Sequence, residues 1–413
     1  MDGSSCWKKE YSAGGGVSIG SLQPCSVAVA GGGPVGAAAA LSLADRGYAV
    51  TLVDQHRPQP GPSAFGMDIR NVALSPRSAE LLKQIDSWPE QAAAYEKMCV
   101  WEERGTSRLT FDAAGAGRGE LGWLVEVAPL LARLWQRLEA HPNITLVFGS
   151  VTDVAATDQR VTLSLDQGGE TLALSADFLI ASDGAKSAVR DALKVEVRQW
   201  PTGQMAVTTL VRTERPHQAT AWQRFLLDGP LALLPSMDPL LCSVVWSQSE
   251  QQAAERLTLS DTEFCSVLTR ASEACLGDIQ DAAPRQAFPL NQQLAATASP
   301  HRRVLLLGDA LRVVHPLAGL GVNLGFEDLS ELLSIAKPNV DLGQPGLWDK
   351  FARQRLLRSE IMLRSLDGLK RLYGSSDPWI GWLRNAGVGW FRRRQWLQRK
   401  AIEEATGLRH LSS

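Results

Sequence analysis

The chain has 413 residues, 45% of them hydrophobic and 21% charged, with a net charge of −2, an ordinary globular composition long enough for two or three domains. That balance argues against a general nucleic-acid binder. The charge is uneven, however: Lys350 to Ser413 holds 14 Lys/Arg against 5 Asp/Glu, a local +9 that leaves −11 on the first 349 residues, which reads as either a solvated helical face or a tail that meets an anionic surface.

Residues 1–24 carry Lys8, Lys9 and Glu10 and a glycine cluster without a continuous apolar core, so they read as a disordered leader or a misplaced start and not as a secretory signal. Ser26 to Ala30 is a short apolar strand. The turn Gly31-Gly32-Gly33-Pro34-Val35-Gly36 follows, then an alanine-rich helix to Asp45 and a second strand from Tyr48 to Val53, ending on Asp54. Strand, glycine turn, helix, strand and acid in this order describe a dinucleotide site. Gly31 allows the turn, Gly33 lets backbone N–H groups approach a pyrophosphate, and Gly36 lets the helix pack on the strand. The helix N-terminus adds partial positive charge, and Asp54 can accept hydrogen bonds from a ribose diol. The apolar run from Val27 to Ala44 is broken by Gly31 to Pro34, so it is not a membrane span.

A proline-rich loop over 57–62 precedes Ser75-Pro76, which opens a capped helix. Residues 97–112 read as strands. A helix from Pro129 to Ala140 presents Leu130, Leu131, Leu134 and Leu138 and leads into the strand Ile144 to Phe148. Alternation marks strands at 161–165 and 171–174, and Asp177 to Ser182 is a buried strand ending at Asp183-Gly184. Strand-like stretches between 203 and 248 predict an antiparallel sheet, a second domain inserted into the first. A helical region over 261–274 follows. Arg303 to Leu307 is a last buried strand that runs into Gly308-Asp309, a turn-rich segment to Asn323 and a helix over 324–336; the remainder is helical and basic. The six cysteines (Cys6, Cys25, Cys99, Cys242, Cys265, Cys275) form no C-x-x-C pair, which suits a reducing compartment and gives neither a disulfide framework nor a metal site.

Three strand ends therefore line up: the glycine turn at 31–36, Asp183-Gly184 and Gly308-Asp309. Five further motifs accompany them, Asp68-Ile69-Arg70, Val72-Ala73-Leu74-Ser75, Ala221-Trp222-Gln223-Arg224-Phe225, Asp228-Gly229-Pro230-Leu231-Ala232 and His315-Pro316-Leu317-Ala318-Gly319. On these residues the chain, from about 25 to 400, resembles the single-component flavin-dependent aromatic hydroxylases of the p-hydroxybenzoate hydroxylase fold, and among them the ubiquinone-biosynthesis hydroxylases. The resemblance implies an α/β architecture. A Rossmann-like FAD-binding domain would occupy 25–96, 123–195 and 300–340, an inserted antiparallel-sheet substrate domain 97–122 and 196–299, and a basic helical C-terminal region 341–413.

Residue by residue, the resemblance implies that Gly31, Gly33 and Gly36 hold the FAD pyrophosphate and Asp54 the adenosine ribose. Arg70 would place a fixed positive charge near the flavin and its phosphates. Asp183 and Gly184 match the motif near the pyrophosphate and the nicotinamide path, and Asp309 the acid that bonds the ribitol chain. Gly321, Val322 and Asn323, with Gly319 just before them, match a turn whose N–H groups face the flavin pyrimidine ring, ahead of a helix whose dipole favours the charge of reduced flavin. His315 and Pro316 would lie beside the isoalloxazine, with His315 either structural or catalytic. Trp222, Gln223 and Phe225 would line the substrate side or pack as aromatic core.

The chemistry so implied belongs largely to the cofactor: NAD(P)H reduces FAD, O2 adds to the reduced ring at C4a, and the distal oxygen of the hydroperoxide attacks an electron-rich phenol. The protein holds the ring near that oxygen and excludes water. Consistently, the sequence has no defensible serine–histidine–acid or cysteine–histidine arrangement and no H-E-x-x-H. The expected function is an FAD-dependent monooxygenase that hydroxylates the aromatic ring of a polyprenylated phenol in ubiquinone biosynthesis. The alternatives are a hydroxylase of a soluble phenolic compound and a flavoprotein-like non-catalytic subunit of a quinone-biosynthesis complex. The chain departs from the family pattern at Leu311-Arg312 (commonly Ala-His), Leu320 (glutamine), Val127 (a polar residue) and Pro201-Thr202 (a tyrosine nearby).

In the basic C-terminus, Trp379, Trp382, Trp390 and Trp396 interleave with Arg384, Arg392, Arg393, Arg394, Arg399 and Lys400. Tryptophan with arginine favours an anionic membrane interface, where a polyprenylated phenol resides. The expected partners are a lipophilic phenol or quinone precursor, the membrane surface and a biosynthetic complex, with no nucleic acid. The expected location is cytoplasmic, peripheral to the inner membrane.

Overall fold

The computed structural model describes residues 25–103, 108–314, 320–338 and 340–374. The expected leader, His315 to Gly319 and the tryptophan- and arginine-rich segment from residue 375 lie outside the described residues.

The short apolar runs assemble a five-stranded parallel sheet, in spatial order Ile144–Phe148, Ala49–Asp54, Ser26–Ala30, Phe178–Ala181 and Val304–Leu306. Val27 to Ala30 are essentially inaccessible, as a central parallel strand covered on both faces requires. Ala30 stands opposite Val53 on one side and Ala181 on the other. The turns that follow these strands, and the one after Leu306, therefore leave the sheet at the same edge, the carboxyl ends where open α/β sheets bind ligands. The helix Pro34–Ala44 packs against the helices Val127–Ala140 and Leu320–Ile335. Its fully buried Ala37 to Ala40 let those neighbours approach closely. An antiparallel meander of Ser150–Ala156, Val161–Gln167 and Glu170–Ala176 adds Val154, Val161, Leu163 and Leu165 to the same core.

The second large sheet has nine strands, built from 97–112, 197–295 and the edge pair Arg312–Val313. It is mixed, not antiparallel throughout as expected: Lys97–Glu102 runs parallel to Thr220–Leu226. The reason is topological, since these two strands are joined through the first domain and not by a hairpin. One face is covered by two helices, Asp261–Ala271 and Glu250–Thr258. The second of these was not foreseen, because its composition is polar and only Ala253 is buried. Side-chain caps start both: Ser249 accepts from the Gln252 N–H, and Ser260 forms a reciprocal capping box with Glu263. The opposite face carries Leu210, Ala232, Leu234 and Leu241 toward Met67, Ile69 and Leu124. Leu124 belongs to a small sheet ordered Asn71–Leu74, Gly122–Glu126, Ala92–Tyr95. The helix Pro76–Gln84 begins as its sequence demands, with the Ser75 Oγ accepting from the Ser78 N–H and proline in the first turn.

Candidate functional site

The glycine turn has the geometry of a phosphate cradle. Gly31 has φ +97°, and a Cβ there would lie 2.4 Å from the Ser182 carbonyl oxygen, so only glycine suits the position. A Cβ at Gly36 would sit 1.9 Å from the Gly31 oxygen, whereas at Gly33, the N-cap of the helix, none would meet a heavy atom within 4 Å. The turn is therefore tight where protein abuts it and open where a ligand would approach. Gly32 between them has the peptide groups on both of its sides held. Its N–H donates to Asp54 Oδ2 at 2.5 Å, and its carbonyl accepts from Trp135 Nε1 at 2.9 Å. Asp54 thus sits at the turn, with Oδ2 already engaged and Oδ1 taking a 3.3 Å bond from the His56 N–H.

The next two strand ends are tied to each other. Arg190, buried, donates from Nη2 to the Ala185 carbonyl at 3.0 Å and from Nη1 to the Ala310 carbonyl at 3.3 Å. Gln293 Nε2 reaches the same Ala185 carbonyl at 2.7 Å and that of Asp309 at 3.5 Å. Asp183 Oδ2 accepts from the Val189 N–H at 3.1 Å, while its Oδ1 is buried with no hydrogen-bond partner. Burial raises the Asp183 carboxyl above the usual range, opposed by bonds from Ser187, Val189 and Ala188. Gly184 follows with φ +86°. Asp309 is reachable by solvent yet enclosed by protein, and that enclosure raises its carboxyl too; Arg312 draws it back and Asp328 adds to the rise. An unpartnered buried carboxylate oxygen is a group awaiting a donor.

Gly321, Val322 and Asn323 do not form a turn ahead of a helix. They lie in the first turn of the helix Leu320–Ile335, where backbone N–H groups have no partner within the helix. Gly321 is beside Asp309, whose Oδ1 would be 3.8 Å from a Cβ at that glycine. The Asn323 side chain points into protein. Its Oδ1 accepts from the Ser75 N–H at 2.8 Å and Ser78 Oγ at 2.7 Å, and its Nδ2 donates to the Ala73 carbonyl at 2.7 Å. Asn323 therefore fixes where this helix begins. Behind it, Asp328 accepts from the Gly308 N–H at 3.0 Å and from Arg312 and Arg355.

Arg70 is about half exposed, 3.7 Å from Asp68 Oδ1, and its guanidinium lies against Gly61. Buried Asp68 caps the helix Val127–Ala140 from outside by accepting the Ala128 N–H at 3.2 Å. Val127, its first residue, donates its N–H to the Arg70 carbonyl.

On the large sheet the three expected substrate residues are split. Trp222 packs against the helix-covered core, edge-on to Trp101 at 6.1 Å, in the aromatic-core arrangement. Strand alternation turns Gln223 and Phe225 to the other face, where Ala221 and Ala232 stand among Met67, Ile69, Leu210 and Leu234. His315, Pro316 and Gly319 lie outside the described residues. Trp135, Arg190, Gln293 and Asp328 were missed. Arg190 follows directly on the Asp183 motif, which is the one local signal among them.

The residues present fit an extended dinucleotide: an open cradle at Gly33, an orphaned Asp183 Oδ1 and a solvent-exposed Asp309 along one sheet edge. The chain matches the family described as FAD binding domain over residues 24–365. It is 32% identical over 395 residues to the 3-demethoxyubiquinol 3-hydroxylase of Escherichia coli (strain K12), covering 94% of this chain and 99% of that protein. It is 31% identical to the Homo sapiens mitochondrial ubiquinone biosynthesis monooxygenase COQ6, covering 88% of each. Among solved structures, p-nitrophenol 4-monooxygenase PnpA from Pseudomonas putida DLL-E4 superposes with a TM-score of 0.74 at 20% identity, over 94% of this chain and 99% of that one. Klebsiella pneumoniae R204Q HpxO complexed with FAD gives 0.71 at 15%, over 94% and 100%. These two likenesses establish the fold.

Proposed function

The chain belongs to the FAD binding domain family, among the flavin-dependent hydroxylases of ubiquinone biosynthesis, and from that premise we propose that it hydroxylates the aromatic ring of a polyprenylated phenol at a membrane surface, using NAD(P)H and O2. When bound, FAD supplies the redox chemistry and the activation of oxygen. The chain's own residues bind and orient. The open face of Gly33 and the N-terminus of the helix Pro34–Ala44 receive the pyrophosphate, with Gly31 and Gly36 shaping the turn, and Asp54 Oδ1 accepts from the adenosine ribose. Asp183 Oδ1 and Asp309 accept hydroxyl or N–H donors further along the cofactor, with Gly184 beside them. Arg70 adds positive charge. The first turn of Leu320–Ile335, with Gly321 and Val322, offers backbone N–H groups to the flavin ring; His315, Pro316 and Gly319 precede it in sequence. Gln223 and Phe225, with the apolar wall of Met67, Ile69, Leu210 and Leu234, take the substrate ring and exclude water.

The observation that carries this reading is the buried, unpartnered Asp183 Oδ1, on the same sheet edge as the open Gly33 and the exposed Asp309. The test is deletion of the gene in a strain with no second hydroxylase of this family. Accumulation of a quinone precursor lacking one ring oxygen, reversed by the wild-type gene and not by Asp309→Ala, is the expected result. A normal quinone pool refutes the reading.

Membrane docking rests on the tryptophan- and arginine-rich sequence after Gly374. It is supported by Leu357 and Ile361, 60% and 52% exposed one turn apart on the helix Asp349–Gly374. Among the described residues, no helix is long and apolar enough to cross a membrane. Co-sedimentation with anionic liposomes checks it: the full chain pellets and a chain truncated after Gly374 does not. Equal pelleting of both sinks the idea.

A further inference from the structure

We propose that Trp135 is a positioning residue for the cofactor: its indole N–H, not its bulk alone, sets the orientation of the Gly32 peptide in the pyrophosphate turn. The inference rests on the reading of residues 31–36 as the FAD cradle. Gly32 is the middle glycine, and no side chain of its own constrains it. The peptide groups flanking it must nevertheless point one way for the neighbouring N–H groups to face phosphate oxygens. Two side chains impose that orientation from opposite ends. Asp54 Oδ2 takes the N–H at 2.5 Å and Trp135 Nε1 donates to the carbonyl at 2.9 Å. The Trp135 ring also fills the space where a Gly32 side chain would lie, 2.5 Å from the ideal Cβ. Trp135 is 2% exposed and held in turn by a stack on Phe148, 6.1 Å between centroids at 16°. Phe148 stands opposite Asp54 in the sheet register, so one aromatic pair backs both the acid and the turn.

A carbonyl buried beside the indole has no water to fall back on, so loss of the N–H leaves it unsatisfied and frees the peptide to rotate. Two substitutions separate this from simple packing. Trp135→Phe keeps a large ring and loses the donor. Trp135→His loses the benzo ring, yet its Nε2 occupies the same ring position as the indole Nε1. The measurement is the FAD dissociation constant of the apoprotein, by quenching of flavin fluorescence, below the unfolding temperature of every variant, with folding checked by circular dichroism. The expected result is about tenfold weaker FAD binding for Trp135→Phe and a smaller loss for Trp135→His. FAD binding by Trp135→Phe as tight as wild type overturns the proposal, as does Trp135→His binding no better than Trp135→Phe. Failure of the wild-type apoprotein to bind FAD instead overturns the cofactor reading itself.

Discussion

Arg312 Nη1 and Asp328 Oδ2 meet at 2.7 Å, with neither side chain more than 1% exposed. Asp328 is shared with Arg355, whose Nε lies 2.5 Å from Oδ1. The same carboxylate holds the Gly308 N–H, so one buried acid joins the turn bearing Asp309 to two helices. Removing Asp328 would leave buried Arg312 without its counter-charge and Arg355 with only Glu327, 3.5 Å away, at a cost of about 3–5 kcal/mol. Asp328→Ala is therefore expected to lower the urea midpoint sharply or prevent folding. Arg312→Met should cost distinctly less, because Asp328 keeps Arg355 and the Gly308 N–H.

Asp309 gives a pH dependence with a definite sign. An unfolded aspartate titrates at about 3.9, and enclosure in the fold raises Asp309 above its ordinary value. The folded state therefore binds the proton more tightly. The group's contribution to stability is greatest below the unfolded pKa and is lost as pH rises through the folded one. Asp309→Asn should raise the apoprotein unfolding temperature at pH 7, and the difference should vanish at about pH 3. FAD affinity should move the other way, weaker in Asp309→Asn and, in the wild type, weakening as pH falls through the raised pKa.

The cradle predicts opposite phenotypes for two glycines three residues apart. Gly36→Ala forces a methyl onto the Gly31 carbonyl, 1.9 Å away at the ideal position, and should destabilise the fold by about 1–3 kcal/mol or more. Gly33, at φ −65° with open space around it, tolerates alanine within about 0.5 kcal/mol. Gly33→Ala should nonetheless bind FAD at least several-fold more weakly, read by flavin fluorescence alongside thermal unfolding.

Asn323→Leu tests the helix start. It removes the acceptor for the Ser75 N–H and Ser78 Oγ and the donor to Ala73, and each buried group left unpaired costs about 1–3 kcal/mol. Denaturant unfolding should show a loss of at least about 2 kcal/mol, accompanied by weaker FAD binding because the helix that flanks Asp309 loses its anchor.

Trp222 and Gln223 separate the two faces of the large sheet. Trp222→Leu should reduce stability by about 2–3 kcal/mol and leave the KM for the phenol unchanged. Gln223→Ala should change that KM, and because Gln223 is buried it should also lower the unfolding temperature modestly.

Local order was legible because neighbours within a strand or turn determine it. The apolar run at 26–30, the glycines at 31–36 and the acid at 54 announce strand, turn, helix and strand through steric and hydrogen-bonding rules that span a few residues. The strand-terminal Asp183 and Asp309 were legible in the same way, as was the cap at Ser75. Their convergence on one edge follows from parallel pairing. Trp135 was not legible as a partner of Gly32, since 103 residues separate them and only the placement of the helix Val127–Ala140 brings the indole to the turn. Asn323 and Ala73 lie 250 apart; the sequence offers Asn323 as part of a turn whose N–H groups face the flavin, and nothing local to it tells that its side chain ties the helix start to Ala73. Alternation dictates that Trp222 and Gln223 face opposite ways, but not which face the helices Glu250–Thr258 and Asp261–Ala271 will cover. The sequence by itself determined which residue types stand at each strand end, and hence the kind of ligand they suit. Tertiary structure alone decided which distant side chains hold those ends in place, because that depends on strand order, register and the burial of Asp328 between two arginines.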